Sequence, residues 1–214
     1  MPAMNPDGCE ALRSRLLAQR VVPVLRLATT EEARTAVDCL VEAGFGCIEL
    51  TLTTPGVIEL VAELRTRVGA GTHLGVGTVL DLASAKRCIE AGAGFLVSPC
   101  MLAGMAALAH ASGRLALIGA YTPGEVLAAH REGADIVKVF PASSGGPAHL
   151  GALHAVFPDI ALCPTGGVNL ANVKDYLAAG AAFVGVGNNI IDAKALRAGD
   201  RARVVEHARR FLGA

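Results

Sequence analysis

The sequence contains no tryptophan, and aromatic residues make up only 4% of its 214 residues. It also lacks an excess of either charge, because 19 basic and 19 acidic side chains leave a formal net charge of zero. Surfaces that bind nucleic acids carry a basic patch, often interleaved with aromatics, and this chain has neither. We therefore expect no nucleic-acid partner.

Long apolar runs are missing too, since none reaches the roughly 18 residues that a membrane-spanning helix needs. The first ten residues lack the charged-then-apolar pattern of an export signal. No Cys-x-x-Cys pair occurs among the six cysteines, which stand at positions 9, 39, 47, 88, 100 and 163. Such cysteines are typical of reduced, mostly buried thiols. We expect a cytoplasmic protein with no membrane partner.

The chain is rich in apolar residues: 52% are hydrophobic, mainly Ala, Val, Leu and Ile. This mixture suits parallel strands covered by helices. Eight apolar β-type runs occur, at residues 21–27, 47–52, 74–76, 95–97, 115–118, 136–139, 160–163 and 183–186. The stretches between them have helical periodicity. Four of these have start signals, at residues 30–32, 81–83, 122–125 and at Asn169.

A glycine recurs just before several strands, at Gly44, Gly92, Gly133 and Gly180. Glycine there can adopt the left-handed conformation that ends a helix. Eight strands alternating with helices predict a single (β/α)8 TIM barrel over residues 1–214. A helix over residues 9–20 precedes the first strand and is expected to plug the bottom of the barrel. An open doubly wound sheet is the alternative, but residues 26–29 lack its glycine-rich loop.

Lys138 is unusual among the four lysines because it lies inside an apolar strand. Side chains alternate between the two faces of a strand, so Lys138 points into the barrel if Val137 and Val139 pack against helices. Burial lowers the pKa of a lysine, and a neutral amine attacks carbonyl carbons. A purely structural lysine paired with a carboxylate is the alternative interpretation.

Glu49 is the predicted partner of Lys138. In residues 47–53, Ile48 and Leu50 share one face of the strand and Glu49 shares the other with Thr51 and Thr53. An inward carboxylate on the second strand can meet an inward lysine on the sixth across a small barrel. Schiff-base chemistry needs such a group to move protons, although a buried ion pair without chemistry has the same pattern.

Two glycine-rich turns follow the last two strands, at residues 163–169 and 184–189. The loops after strands seven and eight often bind phosphate in TIM barrels, and glycine lets the backbone N–H groups approach the oxygens. The six histidines show no metal-binding spacing, and residues 143–146 do not form a nucleophile elbow. We expect a phosphate site, no metal and no cofactor.

Five motifs now stand in order along the chain: Ile-Glu-Leu-Thr-Leu at 48–52, Gly-Val-Gly-Thr-Val-Leu at 75–80, Val-Ser-Pro at 97–99, Val-Lys-Val-Phe-Pro-Ala at 137–142 and Cys-Pro-Thr-Gly-Gly-Val at 163–168. Together they resemble the class I 2-keto-3-deoxy-6-phosphogluconate (KDPG) and 4-hydroxy-2-oxoglutarate (KHG) aldolase family. The resemblance implies a homotrimeric barrel that cleaves a phosphorylated keto acid to pyruvate and glyceraldehyde 3-phosphate.

The same resemblance implies a role for each matching residue. Lys138 would form the Schiff base, and Glu49 would be the general acid/base. The implied binding residues are Thr78, Pro99, Phe140 and Thr165 around the pyruvate part, and Gly166, Gly167, Gly187 and Asn188 around the phosphate.

Three positions depart from the usual family pattern. Thr53 replaces an arginine, Asn188 replaces a serine, and Ile118 stands where a proline usually precedes Gly119. We hypothesise that Arg26, at the end of the first strand, supplies the missing cation, and we include Thr53 itself among the expected substrate-binding residues. The absence of this arginine and the sequence of residues 140–147 resemble the 2-keto-3-deoxy-6-phosphogalactonate (KDPGal) branch of the family more closely. The choice between KDPG, KDPGal and KHG as the substrate is therefore left open.

Two functions outside this chemistry are kept as alternatives. A phosphosugar isomerase or epimerase could use Glu49 as its base and the glycine turns for phosphate, without a lysine imine. A non-catalytic phosphosugar-binding protein would bind its ligand without turnover.

Overall fold

The computed structural model describes residues 6–69 and 71–213. Within these ranges the strands lie at Val21–Leu25 (β1), Cys47–Thr51 (β2), His73–Gly77 (β3), Phe95–Val97 (β4), Leu115–Ala120 (β5), Ile136–Val139 (β6), Leu162–Pro164 (β7) and Val184–Val186 (β8). The helices lie at Pro6–Gln19 (α1), Thr30–Ala43 (α2), Val57–Arg67 (α3), Leu82–Ala91 (α4), Met105–Ala111 (α5), Pro123–Arg131 (α6), Gly146–Val156 (α7), Val173–Ala178 (α8), Ala193–Arg197 (α9) and Arg201–Leu212 (α10).

The eight strands form one parallel sheet in the order β7-β6-β5-β4-β3-β2-β1-β8. A bridge between Thr165 and Gly185 brings the two outer strands together and nearly closes the sheet into a barrel. This order confirms the predicted (β/α)8 fold and rules out the doubly wound sheet, in which the strand order reverses at a switch point.

Two apolar layers result from the alternation of side chains along the strands. One layer lies between the strands and the surrounding helices and contains Val137 and Val139. The other fills the interior of the barrel, where Phe95, Ile136 and Phe183 pack together. Leu12 and Leu16 of α1 are buried against this interior layer, which confirms that the first helix plugs the barrel.

Several helix ends follow their sequence signals. The side chains of Asp81 and Thr122 cap α4 and α6, and Glu125 completes a capping box at Thr122. All four glycines that were predicted to end helices have a positive φ, between 98° and 111°: Gly44, Gly92, Gly133 and Gly180. Local signals therefore set where these helices begin or end.

One predicted helix start was wrong. Asn169 does not begin α8, which starts at Val173. Its side chain accepts from the N–H of Ala171, and its carbonyl accepts from the N–H groups of Asn172 and Val173, which makes a turn of three residues ahead of the helix. The first strand also ends at Leu25, two residues earlier than expected.

Within the described ranges, no helix combines the length and apolar character that crossing a membrane requires.

Candidate active site

A cavity of about 310 Å³ opens at the carboxyl ends of the strands. Its lining consists of Val24, Arg26, Glu49, Thr51, Thr78, Lys138, Phe140, Thr165, Gly166, Gly167, Gly187, Asn188 and Asn189. Ten of the twelve predicted site residues are therefore brought together here. The other two, Thr53 and Pro99, lie outside this lining. In TIM-barrel enzymes this end of the barrel carries the active site.

Lys138 and Glu49 meet at the floor of the cavity. The two residues are 5% and 4% exposed, and the Nζ of Lys138 lies 3.6 Å from the Oε1 of Glu49. The predicted inward orientation of both side chains is thus confirmed. Among the residues that the structure describes, the buried Oε1 of Glu49 has no hydrogen-bond partner. It is therefore available to a bound molecule.

Burial raises the pKa of the Glu49 carboxyl group, whereas the positive charges of Lys138 and Arg26 oppose that rise. A carboxyl group with a raised pKa releases and takes up protons closer to neutral pH, which suits a general acid/base. On the neighbouring strand β7, Cys163 pairs in register with Lys138, and burial raises the pKa of its thiol to about 12, so this thiol stays protonated at neutral pH. The ionisable chemistry at the cavity floor is confined to the amine and the carboxyl group.

Two glycines make room for side chains of the cavity. An ideal Cβ on Gly77 would lie 1.8 Å from the Oε1 of Glu49, and one on Gly185 would lie 2.3 Å from the Oγ1 of Thr165. Both distances are far below van der Waals contact. The Glu49 carboxyl group and the Thr165 hydroxyl group thus occupy space that any other residue at 77 or 185 would fill.

Arg26 and Lys138 are the two cationic side chains in the cavity lining. Arg26 is exposed at the rim, and its backbone N–H donates to the Oδ1 of Asn188 at 3.3 Å. Thr53 stays outside: the Oγ1 of Thr51 donates to the carbonyl of Leu25, so the hydroxyl group of Thr53 donates to Thr51 at 2.8 Å. Thr53 therefore does not line the cavity itself but contacts Thr51, which does.

The two predicted glycine-rich turns both border the cavity. Gly166 and Gly167 have φ values of 94° and 83°, a left-handed conformation that favours glycine. The side chain of Asn189 donates to the carbonyl of Val168 at 3.3 Å and so joins the turn after β8 to the turn after β7. Together the turns form one concave backbone surface beside Arg26.

Thr78 and Phe140 complete the lining on the remaining sides. Thr78 has a φ of 61°, which is strained for a β-branched residue, and such strain clusters at functional sites. The Nζ of Lys138 lies 5.7 Å from the centre of the Phe140 ring, within cation–π range. Pro99 instead packs its backbone against Gly119, where an ideal Cβ would lie 2.1 Å from its carbonyl carbon.

Three lining residues were not among the predicted site residues: Val24, Thr51 and Asn189. Strand alternation places Thr51 on the face of Glu49, so that signal was sufficient to include it. Asn189 had no comparable signal, because its position depends on how the chain turns after β8. Within the described residues, no group of three or more His, Cys, Asp or Glu side chains could hold a metal ion.

A family model described as KDPG and KHG aldolase matches residues 12–207. A probable 2-dehydro-3-deoxy-6-phosphogalactonate aldolase of Rhizobium meliloti is 36% identical over 171 residues, which cover 79% of this chain and 81% of the relative. A 2-dehydro-3-deoxy-phosphogluconate aldolase of Pseudomonas aeruginosa is 34% identical over 194 residues, which cover 90% and 88%. "Dehydro" and "keto" name the same carbonyl group in these substrates.

Among solved structures, the KDPG aldolase of Legionella pneumophila, with pyruvate captured at low pH as a covalent carbinolamine, has a TM-score of 0.84. Its sequence is 28% identical, and the match covers 92% of this chain and 96% of that one. The similarity thus extends over most of the chain in both sequence and fold.

Proposed function

This chain belongs to the KDPG and KHG aldolase family, and we propose that it cleaves KDPG to pyruvate and glyceraldehyde 3-phosphate through a Schiff base on Lys138. It is an aldolase, and therefore a lyase. The observation that carries the proposal is the buried pair of Lys138 and Glu49 at the floor of the cavity. The covalent carbinolamine of the Legionella pneumophila enzyme supports it.

In this mechanism the amine of Lys138 attacks the keto carbon of the substrate. The carbinolamine that forms loses water to give an iminium ion. This ion draws the electron pair of the bond between the α-carbon and the hydroxyl-bearing β-carbon, so that this bond breaks and an enamine forms. Glu49 takes the proton from the hydroxyl group of the departing aldehyde as that bond breaks. It then returns a proton to the resulting enamine, and water releases pyruvate from Lys138.

The remaining lining residues bind the two ends of the substrate. We assign Thr78, Thr165 and Phe140 to the pyruvate part, since all three line the cavity and the Phe140 ring centre lies 5.7 Å from the Nζ of Lys138. Arg26 and the backbone of Gly166, Gly167, Gly187 and Asn188 hold the phosphate group. A guanidinium group next to backbone N–H groups is a common arrangement for binding a phosphate dianion. Thr53 and Pro99 act indirectly, by positioning Thr51 and by packing on Gly119.

KDPGal is the second substrate that specific observations favour. The Rhizobium meliloti relative named for it shares 36% identity, and Thr53 stands where the family usually has an arginine. The deciding experiment is a retro-aldol assay with KDPG, KDPGal and KHG, with pyruvate release as the readout. We expect turnover of at least one of the phosphorylated epimers. Absence of pyruvate release from all three would refute the proposal.

The Lys138→Ala variant separates this proposal from an isomerase or a non-catalytic binding protein. Loss of all turnover in this variant fits the aldolase, whereas retained activity would favour an isomerase that uses Glu49 alone. Tight phosphosugar binding without turnover in the wild type would favour the binding protein. We further propose that residues 1–214 form one domain, that the chain is a homotrimer, and that it works in the cytoplasm without nucleic-acid partners.

A further inference from the structure

The turn that follows β8 is hydrogen-bonded to the last helix, α10. This turn, Asn188–Ile190, is a short 3-10 helix whose residues Asn188 and Asn189 line the cavity. Two carbonyl groups at the start of the turn accept local backbone hydrogen bonds: Gly187 accepts from Ile190, and Asn188 accepts from Ile191. The next carbonyl group, that of Asn189, accepts instead from the Nε2 of His207 at 2.9 Å.

His207 is well placed to act as an anchor. It lies on α10, whose residues Val204, Val205, Ala208 and Phe211 are buried. Its ring packs edge-on against Phe211, with ring centres 5.9 Å apart and an angle of 63° between the planes. A second contact supports the same segment, because the Nε of Arg203 donates to Asp192 at 2.8 Å. The helix thus presents a fixed donor to a short turn.

Asn189 connects His207 to the cavity lining, because its carbonyl group binds His207 and the residue itself borders the cavity. Its side chain donates to the carbonyl of Val168 and so joins the two glycine-rich turns. The neighbouring side chain of Asn188 accepts from the backbone N–H of Arg26. Displacement of the Asn189 backbone would therefore disturb all three segments that hold the phosphate group. The Lys138–Glu49 pair lies on other strands and would not be disturbed.

We propose that His207 is a positioning residue that fixes the phosphate-binding turns by holding the carbonyl group of Asn189. This proposal rests on the proposed function only in assigning these turns to the phosphate group of the substrate. It predicts a specific pattern, in which phosphate binding weakens while the chemistry at Lys138 is preserved.

The test compares His207→Ala with His207→Gln, whose side-chain amide can still donate to the same carbonyl group. One lost hydrogen bond to a neutral carbonyl corresponds to a factor of about 2 to 12 in affinity. We expect His207→Ala to raise the KM for the phosphorylated substrate by such a factor, with kcat within about twofold. The Gln variant should recover most of the lost affinity. Glu206→Ala, on the same helix, is the matched control and should behave like the wild type.

Two further measurements keep the outcomes distinct. Binding of inorganic phosphate, followed by ³¹P NMR titration, needs no turnover and should weaken in His207→Ala alone. Trapping of pyruvate with borohydride should be the same in all variants. If the wild type forms no pyruvate adduct, the proposed function fails, while the phosphate titration still decides the role of His207.

An unchanged phosphate affinity and KM in a folded His207→Ala protein would overturn the positioning role, and so would an equal loss in the Gln variant. If the Ala variant unfolds, His207→Phe replaces it, because it keeps a ring against Phe211 and lacks the donor. The same loss of phosphate affinity is then expected, and normal affinity would again overturn the proposal.

Discussion

The Nζ of Lys138 lies 3.6 Å from the Oε1 of Glu49, although the two residues are on strands at opposite sides of the barrel. Only inward-facing side chains of β2 and β6 can meet in this way. Both are almost fully buried, yet both border a cavity open to solvent. A substrate carbonyl group that enters this cavity meets an amine and a proton-transfer group together.

Replacing Glu49 with Gln should slow turnover by about 10²- to 10⁴-fold, because this change removes the group that moves protons. The amine of Lys138 remains, so the pyruvate adduct should still form under borohydride. Steady-state kinetics and intact-protein mass spectrometry measure the two effects. Glu59→Gln, an exposed change on α3, is the control and should keep normal rates. A Glu49→Gln enzyme within tenfold of the wild type would remove Glu49 from the mechanism.

The raised pKa of Glu49 should also appear in the pH dependence of stability. Burial raises this pKa above its ordinary value of 4.5 in the folded state. Between 4.5 and the folded value, the folded chain keeps a proton that the unfolded chain has released. The contribution of Glu49 to stability is therefore complete below pH 4.5 and is lost as the pH rises through the folded pKa.

Denaturant unfolding of the wild type and Glu49→Gln across this range measures the contribution. As the pH rises above 4.5, the unfolding free energy of the wild type should fall relative to that of Glu49→Gln, since Gln has no charge to bury. A difference that does not vary with pH would show that the carboxyl group titrates equally in the folded and unfolded states.

Gly77→Ala should impair catalysis although it replaces no ionisable group. The added Cβ would lie 1.8 Å from the Oε1 of Glu49 and must displace the carboxyl group. We expect kcat/KM to fall by at least about tenfold and the protein to lose about 1–3 kcal/mol of stability from overpacking. Gly124→Ala on α6 is the control, because its Cβ would meet nothing within 4 Å. Normal kinetics in Gly77→Ala would mean that Glu49 can work from another position.

Much of this arrangement could be predicted from the sequence, because it follows from periodicity. The alternation of residues 136–139 and 47–52 placed Lys138 and Glu49 in the barrel, and glycine positions marked where helices end. Thr53 and Pro99 were different. Their place depends on a hydroxyl–hydroxyl contact with Thr51 and on packing against Gly119, and neither contact has a local signal.

The start of α8 was mispredicted for a related reason. An asparagine can cap a helix or close a turn with its own backbone, and the sequence does not distinguish the two. Asn169 closes a turn, and Asn172 lies at the boundary of the helix.

Arg26→Ala should raise the KM for the phosphorylated substrate. Hydrogen bonds to charged groups contribute about 1.5–3 kcal/mol, so we expect an increase of about 10- to 150-fold. The pyruvate adduct should form normally, since Arg26 lies at the rim and not beside the amine. Arg131→Ala, an exposed change at the end of α6, is the control. Unaltered kinetics in Arg26→Ala would exclude it from the site.

Reductive trapping of pyruvate with borohydride, followed by peptide mapping, tests the role of Lys138 most directly. We predict one covalent adduct per chain, located on Lys138, and none in Lys138→Ala. A wild-type protein that gains no mass, or an adduct on another lysine, would contradict this role.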